Sequence, residues 1–87
     1  MNVKAETTPN PNAMKFTSVN GAMFDGRVMC KQGENPDNPL LKELLELDGV
    51  DNLFGFQDFL TVNKTFDGNW DDLMPKIQEI FEHHSSS

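Results

Sequence analysis

The sequence predicts a small α+β domain, an antiparallel or mixed sheet of about four strands with two helices packed on one face. Its element order reads β-β-(β)-α-β-β-α. Three observations carry this. The chain has 87 residues, enough for one domain with one modest core. Short stretches alternate apolar and polar residues at period two, which is the strand pattern. Two longer stretches, one from Pro39 and one from Trp70, repeat apolar residues at helical spacing. Two amphipathic helices need one apolar surface to cover, and a small sheet supplies it.

The elements follow in order. Residues 2–6, NVKAE, make a short edge strand. Residues 7–12, TTPNPN, are a turn rich in proline and asparagine. In residues 13–18, AMKFTS, Met14 and Phe16 alternate with Lys15 and Thr17, so a strand is expected. Asn20-Gly21 signals a turn. Residues 22–31, AMFDGRVMCK, hold the optional third strand, with Gly26 as a bulge or bend. Residues 32–38 are loop.

The first helix starts with Asn38 as cap and Pro39 at the first helical position, where a missing N–H costs nothing. Leu40, Leu41, Leu44, Leu45 and Leu47 form its apolar stripe, and Gly49 is its stop signal. Residues 50–56 and 58–64 read as two strands joined by a tight turn near Gln57-Asp58. Asn69 caps the last helix, with Asp71 and Asp72 at the positive end of its dipole. Trp70, Leu73, Ile77, Ile80 and Phe81 are its core face, and the Met and Phe residues at large read as core. Pro75 should bend this helix or delay its regular start. One domain over residues 1–82 and a disordered tail over 83–87 follow.

Charge narrows the function classes. The net charge is −7. Residues 1–36 carry four cations against three acids, and residues 37–87 carry three cations against eleven acids. Nucleic-acid binding draws its affinity from cations on phosphates, so no nucleic-acid partner is expected. No apolar run reaches the roughly 18–20 residues of a membrane span, and the N-terminus has no apolar signal region. A soluble cytoplasmic protein is the expectation. The single cysteine, Cys30, fits a reducing compartment.

The residue chemistry points away from an enzyme. A reactive thiol needs a lowered pKa, and only Arg27 and Lys31 lie near Cys30 in sequence. His83 and His84 are adjacent, so on a helix they do not chelate from one face. Glu43, Glu46, Asp71, Asp72, Glu79 and Glu82 read as solvated helix faces. No glycine-rich phosphate loop and no nucleophile elbow are present.

Three segments in order resemble one family. "TPNPNAMKF", "NPLLKELLELDGVDNLFGFQDFLTVNK" and "NWDDLMPKIQEIF" are similar to the N-terminal domain of Nfu/NifU-type iron–sulfur cluster scaffold proteins, and together they span residues 8–81. The resemblance implies an accessory or interaction module in iron–sulfur cluster assembly. Full scaffold proteins of this type carry a further domain whose Cys-x-x-Cys motif holds the cluster. This sequence has one cysteine, and a [4Fe–4S] cluster takes four thiolates. The expectation is therefore a stand-alone form that binds no cofactor by itself and meets iron or a cluster through a partner. The implied partners are cluster-assembly proteins, with the chain a monomer or weak dimer. The implied setting is the bacterial cytoplasm, since a mitochondrial relative needs a transit peptide.

The Pro/Asn turn, Pro9, Asn10, Pro11 and Asn12, is the expected partner-binding site. The other reading of the same turn is that it only sets the register of the first two strands. A second function class stands beside the interaction module, a thiol- or metal-handling protein in which Cys30 does the chemistry.

Overall fold

In the computed structural model, residues 3–19, 21–22 and 24–84 are described. Five strands and two helices follow one another: β1 (Val3–Thr7), β2 (Ala13–Ser18), β3 (Arg27–Lys31), α1 (Pro39–Leu45), β4 (Val50–Phe56), β5 (Phe59–Lys64) and α2 (Trp70–His83). The strands form one sheet in the order β1-β2-β5-β4-β3. Every neighbouring pair is antiparallel. The α+β class holds, and the sheet has five strands rather than about four, because the optional third strand is real. It is shorter than residues 22–31. Phe24 leaves the strand path and packs into the core, so regular pairing begins only at Arg27.

Register decides which side chains share a face, because successive residues of a strand alternate sides. One face carries two full rows. Ala5, Phe16, Leu60, Gly55 and Val28 stand in one, and Thr7, Met14, Val62, Leu53 and Cys30 in the other. Both helices cover this face. Leu40, Leu41, Leu44 and Leu45 from α1 and Leu73, Ile77 and Phe81 from α2 are buried on it. Val50 and Leu53 are three residues apart, yet both are buried. A register shift between Val50 and Asn52 inserts the extra residue that allows this.

The helix caps follow the sequence. Asn38 Oδ1 accepts from the Leu40 and Leu41 amides at 2.9 and 3.4 Å. Asn69 Oδ1 accepts from the Asp71 amide at 2.9 Å. α1 ends at Leu45, four residues before the expected Gly49 stop, and Gly49 sits at φ 106° in the turn into β4. The Gln32 side-chain amide donates to the Leu45 carbonyl at 2.6 Å and to the Val50 carbonyl at 2.7 Å, which joins that helix end to the sheet.

Three further expectations are corrected. α2 starts at Trp70 and stays helical through Pro75, which lies on its exposed side. The carbonyl this proline leaves without its usual partner belongs to exposed Asp71, where water can satisfy it. Residues 83 and 84 do not belong to the expected tail. His83 closes α2, and the His84 ring pairs with the Glu43 carboxylate of α1. Trp70 is only half-buried, and Met29, Phe56 and Phe66 are exposed, so the aromatic and methionine residues are not all core. Asn20 of the expected Asn-Gly turn, Asn2 of the first strand and Ser85–Ser87 of the tail lie outside the described residues.

Candidate functional site

The Pro/Asn turn joins β1 to β2 and is held by hydrogen bonds at nearly every residue. Asn10 Oδ1 accepts from the Asn12 amide at 2.9 Å, an Asx turn. The Asn10 carbonyl accepts from the Ala13 amide at 3.0 Å. The Thr8 hydroxyl reaches the Asn10 and Ala13 carbonyls at 2.9 and 3.1 Å, and accepts from the Asn10 amide at 3.2 Å. Pro9 and Pro11 hold φ between these bonds, so little backbone freedom is left.

Distant residues clamp the turn from outside. Lys64, the last residue of β5, donates its backbone N–H to the Asn12 carbonyl at 2.8 Å and its ammonium to Asn12 Oδ1 at 2.7 Å. The Trp70 indole N–H donates to the Pro11 carbonyl at 3.0 Å. Asn12 therefore serves the fold, and it is half-buried. Pro9, Asn10 and Pro11 turn their side chains to solvent. Of the four expected site residues, three form an exposed surface and the fourth anchors it.

The residues between the two clamps complete the site. Thr65 donates its amide to the Gly49 carbonyl at 2.7 Å, and Gly68 donates to the Thr65 carbonyl at 3.0 Å, which fixes a turn over residues 65–68. Phe66 stands on that turn, 93% exposed. Sequence reading counted Phe66 as core. The signal that could have placed it is local: Phe66 follows Thr65 and precedes Asp67-Gly68, a turn sequence with no apolar neighbour two or three residues away. Thr8, Lys64 and Trp70 were also not assigned to the site. Only the indole N–H, which usually needs a partner when half-buried, hinted at one of them.

Cys30 lies elsewhere. It faces the core from β3, opposite Leu53, and is 7% exposed. Burial and, secondarily, the Glu34 carboxylate push its pKa up, so the thiol form is favoured. Arg27 and Lys31 do not counter this. Both point to the opposite face of the strand, where they are exposed. Among the described residues no group of three or more His, Cys, Asp or Glu could hold a metal ion, and no helix is long and apolar enough to cross a membrane.

Residues 3–87 match the family described as scaffold protein Nfu/NifU, N terminal. A mitochondrial NifU-like protein of Saccharomyces cerevisiae is 35% identical over 88 residues, covering 92% of this chain and 34% of that protein. A crystal structure of a Staphylococcus aureus protein superposes with a TM-score of 0.81 at 27% identity, covering 93% of this chain and 99% of that one. The solution structure of a NifU-like protein from Saccharomyces cerevisiae gives a TM-score of 0.76 at 31% identity, covering 94% and 76%. The chain spans about a third of the length of the curated NifU-like relatives it matches. With this match over nearly the whole length and these superpositions in agreement, the chain belongs to the Nfu/NifU N-terminal domain family.

Proposed function

We propose that this domain is an accessory interaction module in iron–sulfur cluster assembly. It contacts a cluster-assembly partner through the end of the sheet that carries Pro9, Asn10, Pro11 and Phe66. The observation that carries the reading is a turn held rigid from inside, whose outward side chains make no contribution to the core. A surface ordered before binding loses little conformational entropy on association. An exposed phenylalanine beside it supplies the apolar anchor that interfaces favour.

In this reading the cluster is cargo held by the partner. One buried thiol with a raised pKa is a poor iron ligand, because the ligating form is the thiolate. The same facts leave the thiol-chemistry reading without an observation in its favour. A reducing compartment, the bacterial cytoplasm in our reading, suits the single cysteine.

The test is a pull-down of cluster-assembly proteins with the full chain, followed by calorimetry on the partner it identifies. Pro9→Ala combined with Phe66→Ala should lower the melting temperature by only a few degrees, the effect of freeing one proline in the unfolded chain. Measured where the variant is fully folded, binding should weaken about tenfold or more, as loss of an interface anchor does. Unchanged affinity would leave the turn as a determinant of the fold only.

A further inference from the structure

The face of the sheet away from the helices is open along its length, and of the outward strand residues only Ala13 is buried. Toward the β4–β5 hairpin end lie three rings from these two strands. Phe54 and Phe56 stand 6.0 and 6.4 Å from Phe59, centroid to centroid. Phe56 is 41% exposed, and Met29 beside Phe54 on the edge strand is 71% exposed. The Lys15 ammonium sits over the Phe59 ring at 4.8 Å, so a cation stands inside the apolar patch.

Charge on this face runs against the rest of the molecule. The chain carries −7 in total. Yet the outward strand positions bring together Lys4, Lys15, Arg27 and Lys31 against two acids, Glu6 and, at the β4 bulge beside Asn52, Asp51. These four are all the cations of the first 36 residues. Register alone collects them, because the alternation of β1, β2 and β3 puts each on the same side.

We propose that this face docks a partner polypeptide segment in which carboxylates alternate with apolar side chains. The apolar groups would lie on Phe54, Phe56 and Met29, and the carboxylates would meet Lys15 and Arg27 across the rings. A nucleic acid fits less well. Its phosphates form a continuous anionic track, and the strong negative charge of the rest of the chain opposes a polyanion at long range. A short acidic segment needs only the local cations. Docking over the face is favoured above strand addition at β3. Glu34 Oε1 already accepts the edge amide of Lys31 at 2.7 Å and blunts that edge.

The proposal is independent of the turn-end surface and of any role in cluster assembly. Its test titrates the full chain with a short synthetic peptide alternating Glu with Leu and Phe, read by amide chemical shifts. The expected result is shifts confined to the open face, at residues such as Phe54, Thr61 and Met29. Binding should weaken with added salt and fall about tenfold in Lys15→Glu with Arg27→Glu, since opposed charges now meet. Phe56→Ser, at an exposed position, should weaken it with the charges intact. This second variant carries the test if the charge reversal harms folding. The idea fails if the peptide does not bind or if both variants bind it as wild type does. It fails equally if a Lys-for-Glu peptide binds as well, or if a single-stranded oligonucleotide binds more tightly. Self-association of the free chain abolished by Phe56→Ser would also overturn it, naming a second copy as the occupant.

Discussion

Lys64 holds Asn12 twice, with its backbone N–H on the Asn12 carbonyl at 2.8 Å and its ammonium on the Asn12 side-chain oxygen at 2.7 Å. The two residues are far apart in the chain, Asn12 in the middle of the first family-like segment and Lys64 at the end of the second. Their contact explains why those segments occur together: one is the turn and the other supplies its clamp. Asn12→Ala should cost about 1–2 kcal/mol, the scale of a charge-assisted hydrogen bond with a half-buried partner. Asn10→Ala should cost less, about 0.5–1 kcal/mol, because only the Asx turn is lost. A double-mutant cycle of Asn12→Ala with Lys64→Met, read from urea midpoints, checks the coupling. Strictly additive losses would show that the ammonium bond contributes nothing.

The two helices should respond unequally to truncation. Leu44 is fully buried, so Leu44→Ala should cost about 2–5 kcal/mol through lost burial and a cavity. Against a total of about 5–15 kcal/mol for a typical domain, that is severe. Trp70→Phe keeps most of the half-buried ring and loses the bond to Pro11, for about 1 kcal/mol. Hydrogen exchange at Ala13 and Asn12 should also rise in Trp70→Phe, as the turn loses one clamp. If exchange there is unchanged, the indole bond is not a restraint on the turn.

Phe24 lies across Gly55, and this explains both a glycine inside a central strand and a phenylalanine inside a loop. A Cβ on Gly55 would stand 2.5 Å from Phe24 Cε2 and 2.9 Å from Val28 Cγ2. Gly55→Ala should therefore destabilise by about 1–3 kcal/mol through overpacking. Adding Phe24→Leu should recover part of the loss, which a pair of thermal melts can measure. A Gly55→Ala melt equal to wild type would mean that the ring moves aside freely.

Cys30 should behave as a core residue. With its folded pKa raised by burial and Glu34, the thiol contributes stability that is fully present below the unfolded thiol value of roughly 8.5. That contribution is lost as pH rises through the raised folded value. The stability difference between wild type and Cys30→Ala should accordingly narrow above roughly pH 8.5. At neutral pH, alkylation of Cys30 should be slower than that of a free thiol and should speed up in mild urea. Rapid modification of the fully folded protein at pH 7 would contradict the burial.

Much of the fold was legible because it rests on local physics. Asn38, Pro39 and Asn69 announce helix starts through groups within three residues of themselves, and the alternation of Met14 and Phe16 announces a strand. The stiffness of the Pro/Asn turn was legible for the same reason. Tertiary structure decided the rest. Phe54, Phe56, Phe59 and Phe66 have the composition of core residues, and only sheet register and loop placement leave them outside it. Lys15, Arg27 and Lys31 are scattered in the chain, and only pairing across β2, β5, β4 and β3 puts them on one face. Cys30 has two cations nearby in sequence, but the strand's alternation turns them away and leaves the thiol buried near Glu34. Asn12 meets Lys64 and Pro11 meets Trp70 only after the sheet has closed. Propensity and capping act over a few residues, so they can be read along the chain. The side of a sheet that a residue faces, and what it meets there, depends on partners that no short window contains.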